Sequence, residues 1–574
     1  MIAGFRKNES TLFWLTAAAV LFVGWGLRDP WPADEPRFML VAKQMVESGN
    51  WLFPMRGDEL YPDKPPIFMW LQAILYSLTG SVRFSFLLPS LLSGLGVLWL
   101  VRDLGRRLWP SSENNAWHAG AIAAWMLMFA LMFTYQFKRA QIDPLITLWI
   151  TLGMYGFLRH YLERENRKLW LMGWFFSGLG IITKGVGFLP LLVLIPTAYA
   201  SMRGWNFMSV RRASVGLRVA GPLMLLLPIV LWLIPMALVA YGGNDPMFRA
   251  YADNILFKQT AGRYSNPWLH QQPWYYFIEV IALQWLPVTL ALPFVLKHWR
   301  SALQARDARI LLPLAWIVLT VLFFSFSSGK REVYILPCLP MFCLIVAPYV
   351  REMLQGVWLP RLLAVFNVLL IALLIAGGAG LVFEWFKTPA TIAGQGAAVG
   401  WMLMSIGLGA LGASVFLSTV FKPAAIIGTL AALWIGLSLL AYPMLNDGSS
   451  AKGLMDDVAA SMPADSQLAL VQWKEQNLLM AHGKPKTFGF LRPPLAQWQD
   501  GAKWAMEQPS QRWVLVEKLA LPHCMQSTST TYYKGRYNRR EWFLIPGSAL
   551  CVASDQEMRD VERDPTKGFQ DAFE

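Results

Sequence analysis

Between residues 11 and 442 the chain returns repeatedly to runs of about twenty apolar residues, and this recurrence limits the fold more than any other feature. A helix of that length matches the hydrocarbon thickness of a bilayer and satisfies its own backbone polar groups there. We read about thirteen such spans, at 11–27, 82–102, 117–135, 142–160, 168–182, 185–201, 217–241, 279–296, 310–327, 333–349, 362–383, 396–420 and 423–442. A mean hydropathy of +0.39 with only 15% charged residues excludes a soluble globular chain. Arg6 and Lys7 precede the first run, but no small-residue cleavage site follows it, so it reads as a retained span rather than a signal peptide.

The net charge of +14 acquires its meaning from where the basic residues lie. The short intervals 102–107, 159–168, 203–218, 297–309 and 351–361 are all basic, and with the N-terminus inside they all fall on the cytoplasmic side. The surplus is therefore a topology signal and not a nucleic-acid footprint. The opposite side receives the loop 28–81, the links 138–143, 183–185 and 327–332, the loop 242–278 and everything after 443. That arrangement predicts two parts: a membrane domain, 1–442, with juxtamembrane helices in its first periplasmic loop, and a periplasmic domain, 443–574. In the second part, apolar runs at 468–473, 513–516 and 542–545 alternate with helical patterns at 451–461 and 495–507, predicting a small α/β fold. Of the four cysteines, Cys524 and Cys551 fall in this tail, where an oxidising compartment would allow a disulfide. Cys338 and Cys343 lie in a span and read as packing residues.

The loop 28–81 carries the densest chemistry. Asp34 and Glu35 precede Pro36, and Phe38, Ala42, Met45 and Val46 recur at helical spacing up to Gly49. This predicts a short amphipathic helix on the membrane surface with carboxylates at its start. A second cluster follows at Asp58, Glu59, Asp63 and Lys64, stiffened by Pro65 and Pro66. Asp143 opens a span on the same side, where an ionised carboxylate is tolerable. The same side offers Arg37, Arg56, Lys138, Arg139, Lys184, Lys258, Arg263, Lys330 and Arg331. Separated carboxylates among many cations suit a phosphate-bearing lipid substrate, the cations holding a phosphate and stabilising it as a leaving group. Taken singly, each cation reads more simply as a headgroup anchor, and His270 among Trp268, Trp274, Tyr275 and Tyr276 reads as part of an aromatic belt. No dense ligand cluster suggests a metal or other cofactor.

Three stretches carry a resemblance: W-x-x-D-E-x-R-F from Trp31, M-x-x-S-G-N-W-x-x-P from Met45, and Y-x-D-K-P-P-x-x-x-W from Tyr61. They resemble the first periplasmic loop of GT-C glycosyltransferases, in particular the aminoarabinose transferases that modify lipid A, relatives of the protein O-mannosyltransferases. The likeness continues through Ile142-Asp143-Pro144, Ile182-Thr183-Lys184-Gly185, Arg263-Tyr264 and Tyr334-Ile335-Leu336. It implies a GT-C fold in the bacterial inner membrane, with the site and the tail periplasmic. It also implies inverting transfer from an undecaprenyl-phosphate sugar, 4-amino-4-deoxy-L-arabinose, to lipid A, without a cofactor.

Carried over by position, Asp34, Asp143 and Glu35 would be the catalytic carboxylates. Arg37, Lys64, Arg263, Lys330 and Tyr334 would meet the donor phosphate, and Tyr61, Asp63, Lys184 and His270 would line the cavity. The alternatives are transfer of another polyprenyl-linked sugar to a glycan or protein hydroxyl, and transport of the lipid carrier. Transport would favour two similar halves with broken helices, which the sequence lacks.

Overall fold

A computed structural model describes residues 8–110, 117–210, 213–258, 271–327, 329–387, 394–419, 422–526, 529–554 and 556–558. All thirteen expected intervals hold helix. Among the described residues, seven helices are long and apolar enough to cross a bilayer: Val82–Leu108, Val215–Gly242, Ala308–Ser325, Cys338–Gln355, Trp358–Val382, Gly396–Ser418 and Ala425–Ser449. Two bent pairs, Ala119–Met128 with Leu131–Phe137 and Tyr276–Gln284 with Val288–Gln304, raise the number to nine. The other four intervals are either short, as Glu9–Phe22 and Val186–Met202 are, or close on charge, as Ile142–Leu162 and Arg167–Lys184 do. The chain is a multi-pass membrane protein.

The five basic intervals meet at one end of the bundle. Arg107 pairs with Glu163 at 3.2 Å, Arg309 donates to the Leu108 carbonyl at 3.0 Å, Asn206 donates to the Ala305 carbonyl at 2.8 Å, and His298 faces Glu352 at 3.8 Å. The shared end follows from alternation of direction along consecutive helices.

One helical hairpin matters most for the other end. Ile142–Leu162 and Arg167–Lys184 have 21 and 18 residues and a link of a few residues, so they run antiparallel and their far termini finish side by side. Glycine lets them close in: a Cβ at Gly156 would stand 2.5 Å from the Leu169 carbonyl oxygen and 2.9 Å from the Gly173 nitrogen. Small residues at such a crossing replace side-chain contact with backbone proximity, the usual means of tight packing in lipid. As a result Asp143 and Lys184 arrive at one place.

The first long loop folds as its pattern predicts, from Glu35–Ser48 with Asp34 at the N-cap to Gly49 in the left-handed region at φ +71°. Its burial is wider than an interfacial stripe, because Met39, Leu40 and Val41 are covered as well as Phe38, Ala42 and Met45. The helix is thus covered by protein on more of its circumference than the single apolar face the sequence pattern predicts. It packs against Ile67–Thr79 on one side, with Phe38 edge-on to Phe68 at 5.5 Å, and the C-terminal domain covers it on another. A two-residue hairpin, Met55–Arg56 with Glu59–Leu60, is clamped to it by Gln44, whose amide exchanges hydrogen bonds with Gly57.

The tail is an α/β domain with a four-stranded sheet. Strand Gln467–Val471 lies parallel to Arg512–Glu517, joined by a connection containing helix Pro494–Met506, as parallel pairing requires. Arg540–Pro546 adds antiparallel, and Tyr533–Tyr537 forms the outer edge. This edge strand escapes the sequence reading because its residues (YKGRY) lie largely exposed or half-exposed and offer no apolar run. Its hairpin turn, Asn538-Arg539, has positive φ at both residues, the type I′ signature without the usual glycine. Cys524 and Cys551 are joined by a disulfide, while Cys338 and Cys343 are buried thiols.

Candidate active site

Adjacent acids at the start of helix Glu35–Ser48 meet opposite surroundings. Glu35 is buried and fully committed. It is in ion pair with Arg28, and it accepts from the backbone nitrogens of Trp31 at 2.8 Å and Ala140 at 2.9 Å. The Arg28 guanidinium sits about the rings of Trp31, Phe86 and Tyr442 at 5.0, 5.1 and 5.0 Å. Burial alone would raise the Glu35 pKa, but the attraction and hydrogen bonds of Arg28, with the two backbone donors, hold it below the ordinary carboxylate range. Glu35 therefore ties the loop to the link before Asp143, with both of its oxygens already paired within the protein. Lys138 is likewise structural, its ammonium donating to the carbonyls of Val20, Leu21 and Val23 at the end of the first helix.

Asp34, by contrast, occupies an N-cap position and makes no capping bond. Its carboxylate instead faces Arg37 at 3.4 Å, Gln141 at 3.5 Å and Arg331 at 3.8 Å. These separations are long for charge-assisted bonds and leave lone pairs free for a ligand. Asp143, two residues beyond Gln141, is in ion pair with Lys184 and lies in the first turn of its helix, where the backbone dipole favours a negative charge. Lys184 lies 5.1 Å from the Tyr334 ring centre, and the Tyr334 nitrogen donates to the Arg331 carbonyl at 3.1 Å. Two short sequence neighbourhoods, Gln141–Asp143 and Arg331–Tyr334, thus join the Asp34 and Asp143 groups into one rim.

Tyr61 is fully buried behind Arg37, between the charges of Arg37, Asp63 and Arg56, and burial pushes its phenol well up. Its hydroxyl and the Gln141 Oε1 have no hydrogen-bond partner among the described residues. Asp63 and Lys64 stand half-buried where the hairpin enters helix Ile67–Thr79. Lys330 is buried with its ammonium donating to the Gln272 carbonyl at 2.8 Å, so one of its three donors is already used. Arg263 and His270 lie outside the described residues. No group of three metal-ligating side chains occurs among the described residues.

The pattern of residues missed one participant altogether. Glu475, the first residue of tail helix Glu475–Met480, reaches 438 positions back to accept from Arg37 Nε at 2.8 Å and to face Arg56 at 3.7 Å. Asp58 and Glu59 dock the same domain by accepting from the backbone nitrogens of Gly489 and Leu491. Nothing local marks Glu475: it follows a strand in a tail without an alignable motif. Arg331 was visible only as one cation among many.

The family described as dolichyl-phosphate-mannose-protein mannosyltransferase matches residues 63–232. Two relatives, both named undecaprenyl phosphate-alpha-4-amino-4-deoxy-L-arabinose arabinosyl transferase, come from Pseudomonas savastanoi pv. phaseolicola and Pectobacterium carotovorum. The first is 29% identical over 63% of this chain and 65% of its own length; the second is 28% identical over 70% and 71%. The crystal structure of ArnT from Cupriavidus metallidurans bound to undecaprenyl phosphate superposes with a TM-score of 0.73 at 19% identity, covering 96% of this chain and 99% of that one. The chain is similar in sequence to these transferases and has the fold of the ArnT structure. The matched part of the chain spans about two thirds of the curated relatives' length, and the structural likeness covers 96% of this chain.

Proposed function

We propose that the chain is an inverting glycosyltransferase that moves 4-amino-4-deoxy-L-arabinose from undecaprenyl phosphate to a lipid A phosphate at the periplasmic face of the inner membrane. The observation that carries the reading is the meeting of Asp34 and Asp143, far apart in sequence, on one rim with Arg37, Lys184, Arg331 and Tyr334. Cations exceed carboxylates there, as a doubly lipid-phosphate reaction demands. The names of the relatives support this donor and sugar.

In the reaction an oxygen of the acceptor phosphate attacks the anomeric carbon, the bond from that carbon to the donor phosphate oxygen breaks, and undecaprenyl phosphate departs. The acceptor is already ionised, so no proton need be removed. Arg37 and Arg331, with Lys64, neutralise the charge that grows on the leaving phosphate. Asp34 pairs with the sugar's amino group or orients the acceptor, and Asp143, held by Lys184, fixes the other side of the sugar. With a hydroxyl acceptor, Asp34 becomes the general base instead. The mannosyltransferase match at 63–232 favours this second reading.

Mass spectrometry of lipid A from cells with and without the gene, grown under inducing conditions, decides between them. Loss of a 4-amino-4-deoxy-arabinose adduct is expected on deletion. An unchanged lipid A profile sinks the first reading.

A further inference from the structure

Arg37 is held from a distance. Its Nε edge is taken by Glu475 of the tail at 2.8 Å, while its Nη1 turns toward Asp34 at 3.4 Å. Glu475 is buried, and the second guanidinium near it, Arg56, is pressed against the ring of Phe490 at 3.9 Å, another tail residue. One carboxylate therefore serves two arginines that both stand next to Tyr61. The direction of a guanidinium depends on which of its edges is occupied, since its five donors lie in one plane. With the Nε edge fixed by Glu475, the remaining edge of Arg37 is presented to Asp34 and to whatever anion lies beyond it. Without Glu475, Arg37 would be free to close onto Asp34 in a bidentate pair, spending the cation and the carboxylate on each other.

We infer that Glu475 is a positioning residue, supplied by the C-terminal domain, that aims Arg37 at the donor phosphate and keeps it from neutralising Asp34. The tail is in this sense part of the site, and docking of the tail through Asp58, Glu59 and Gly57 is a condition for donor binding. This rests on the transferase reading above.

The test uses full-length protein in nanodiscs and measures binding of undecaprenyl phosphate by displacement of a labelled polyprenyl phosphate, followed by donor kinetics. Wild-type protein that binds no undecaprenyl phosphate overturns the transferase reading itself. Given wild-type binding, Glu475→Ala is expected to weaken it about tenfold or more, and Arg37→Ala combined with Glu475→Ala to be no weaker than Arg37→Ala alone. Glu475→Gln, which keeps an acceptor for Nε, is expected to fall between wild type and alanine, with a loss of about threefold that vanishes in the Arg37→Ala background. If Glu475→Ala fails to fold, the glutamine variant runs the same cycle alone. Binding within about twofold of wild type, or losses that add to that of Arg37→Ala, overturns the inference.

Discussion

Glu35 and Asp34 are neighbours in the chain and opposites in the fold. The first lies in a nest of Arg28, aromatic rings and two backbone donors, every lone-pair direction occupied. The second stands on an open rim with three partners, all at 3.4 Å or beyond. A saturated buried ion pair holds structure, since removing either member strands a charge away from water. A loosely held carboxylate retains binding capacity, and its weak contacts contribute little to folding. On the proposed function, stability and chemistry in this loop are separated by one residue.

The largest test of that separation is at the rim. Asp34→Asn and Asp143→Asn are each expected to lower transfer by about a thousandfold; Asp34→Asn keeps the wild-type unfolding midpoint, whereas Asp143→Asn, which takes the buried carboxylate from Lys184, lowers it. Donor turnover and a thermal scan in the same detergent check both halves, and retained activity breaks the assignment. In the nest the expectation reverses. Arg28→Ala or Glu35→Ala should cost about 3–5 kcal/mol of stability, seen as poor yield and early unfolding, because a buried charge loses its counter-ion.

A smaller effect sharpens the role of the tail. Lys474, next to Glu475, is held down to about 8 from an ordinary 10.5 by burial, with the nearby Arg540 adding to it. Between about 8 and 10.5 the unfolded chain keeps this proton while the folded tail has lost it. Stability should therefore rise as pH climbs from about 8 toward 10.5, and Lys474→Met should abolish the rise. Proteolysis of the tail between pH 7 and 10 measures it. Least of all, Arg331→Ala should change unfolding by under about 1 kcal/mol, since its pair with Asp34 is long and half-exposed. A larger loss would place Arg331 with the scaffold and blur the comparison.

Much of this was legible in the chain. The spans, the helix between Asp34 and Gly49, three tail strands and the grouping of Asp34 with Asp143 on one side all follow from hydropathy, turn residues and charge asymmetry. The edge strand Tyr533–Tyr537 was not legible, because an edge strand facing water carries no apolar signal. Lys138 read only as one cation among many on that side, and Lys330 as a phosphate contact; that each also donates to a backbone carbonyl is a use of charge that composition cannot reveal.

Sequence alone determined that the chain crosses a membrane many times and gathers Asp34, Asp143 and a set of cations at one end, since burial in lipid tolerates only long apolar helices and basic loops sort to one side. Only the tertiary structure decided that Glu35 is sealed while Asp34 stays open, and that Glu475 from the far end of the chain holds Arg37. The reason is that an ion pair is a property of neighbours in space, and here those neighbours come from residues as distant as 438 positions along the chain.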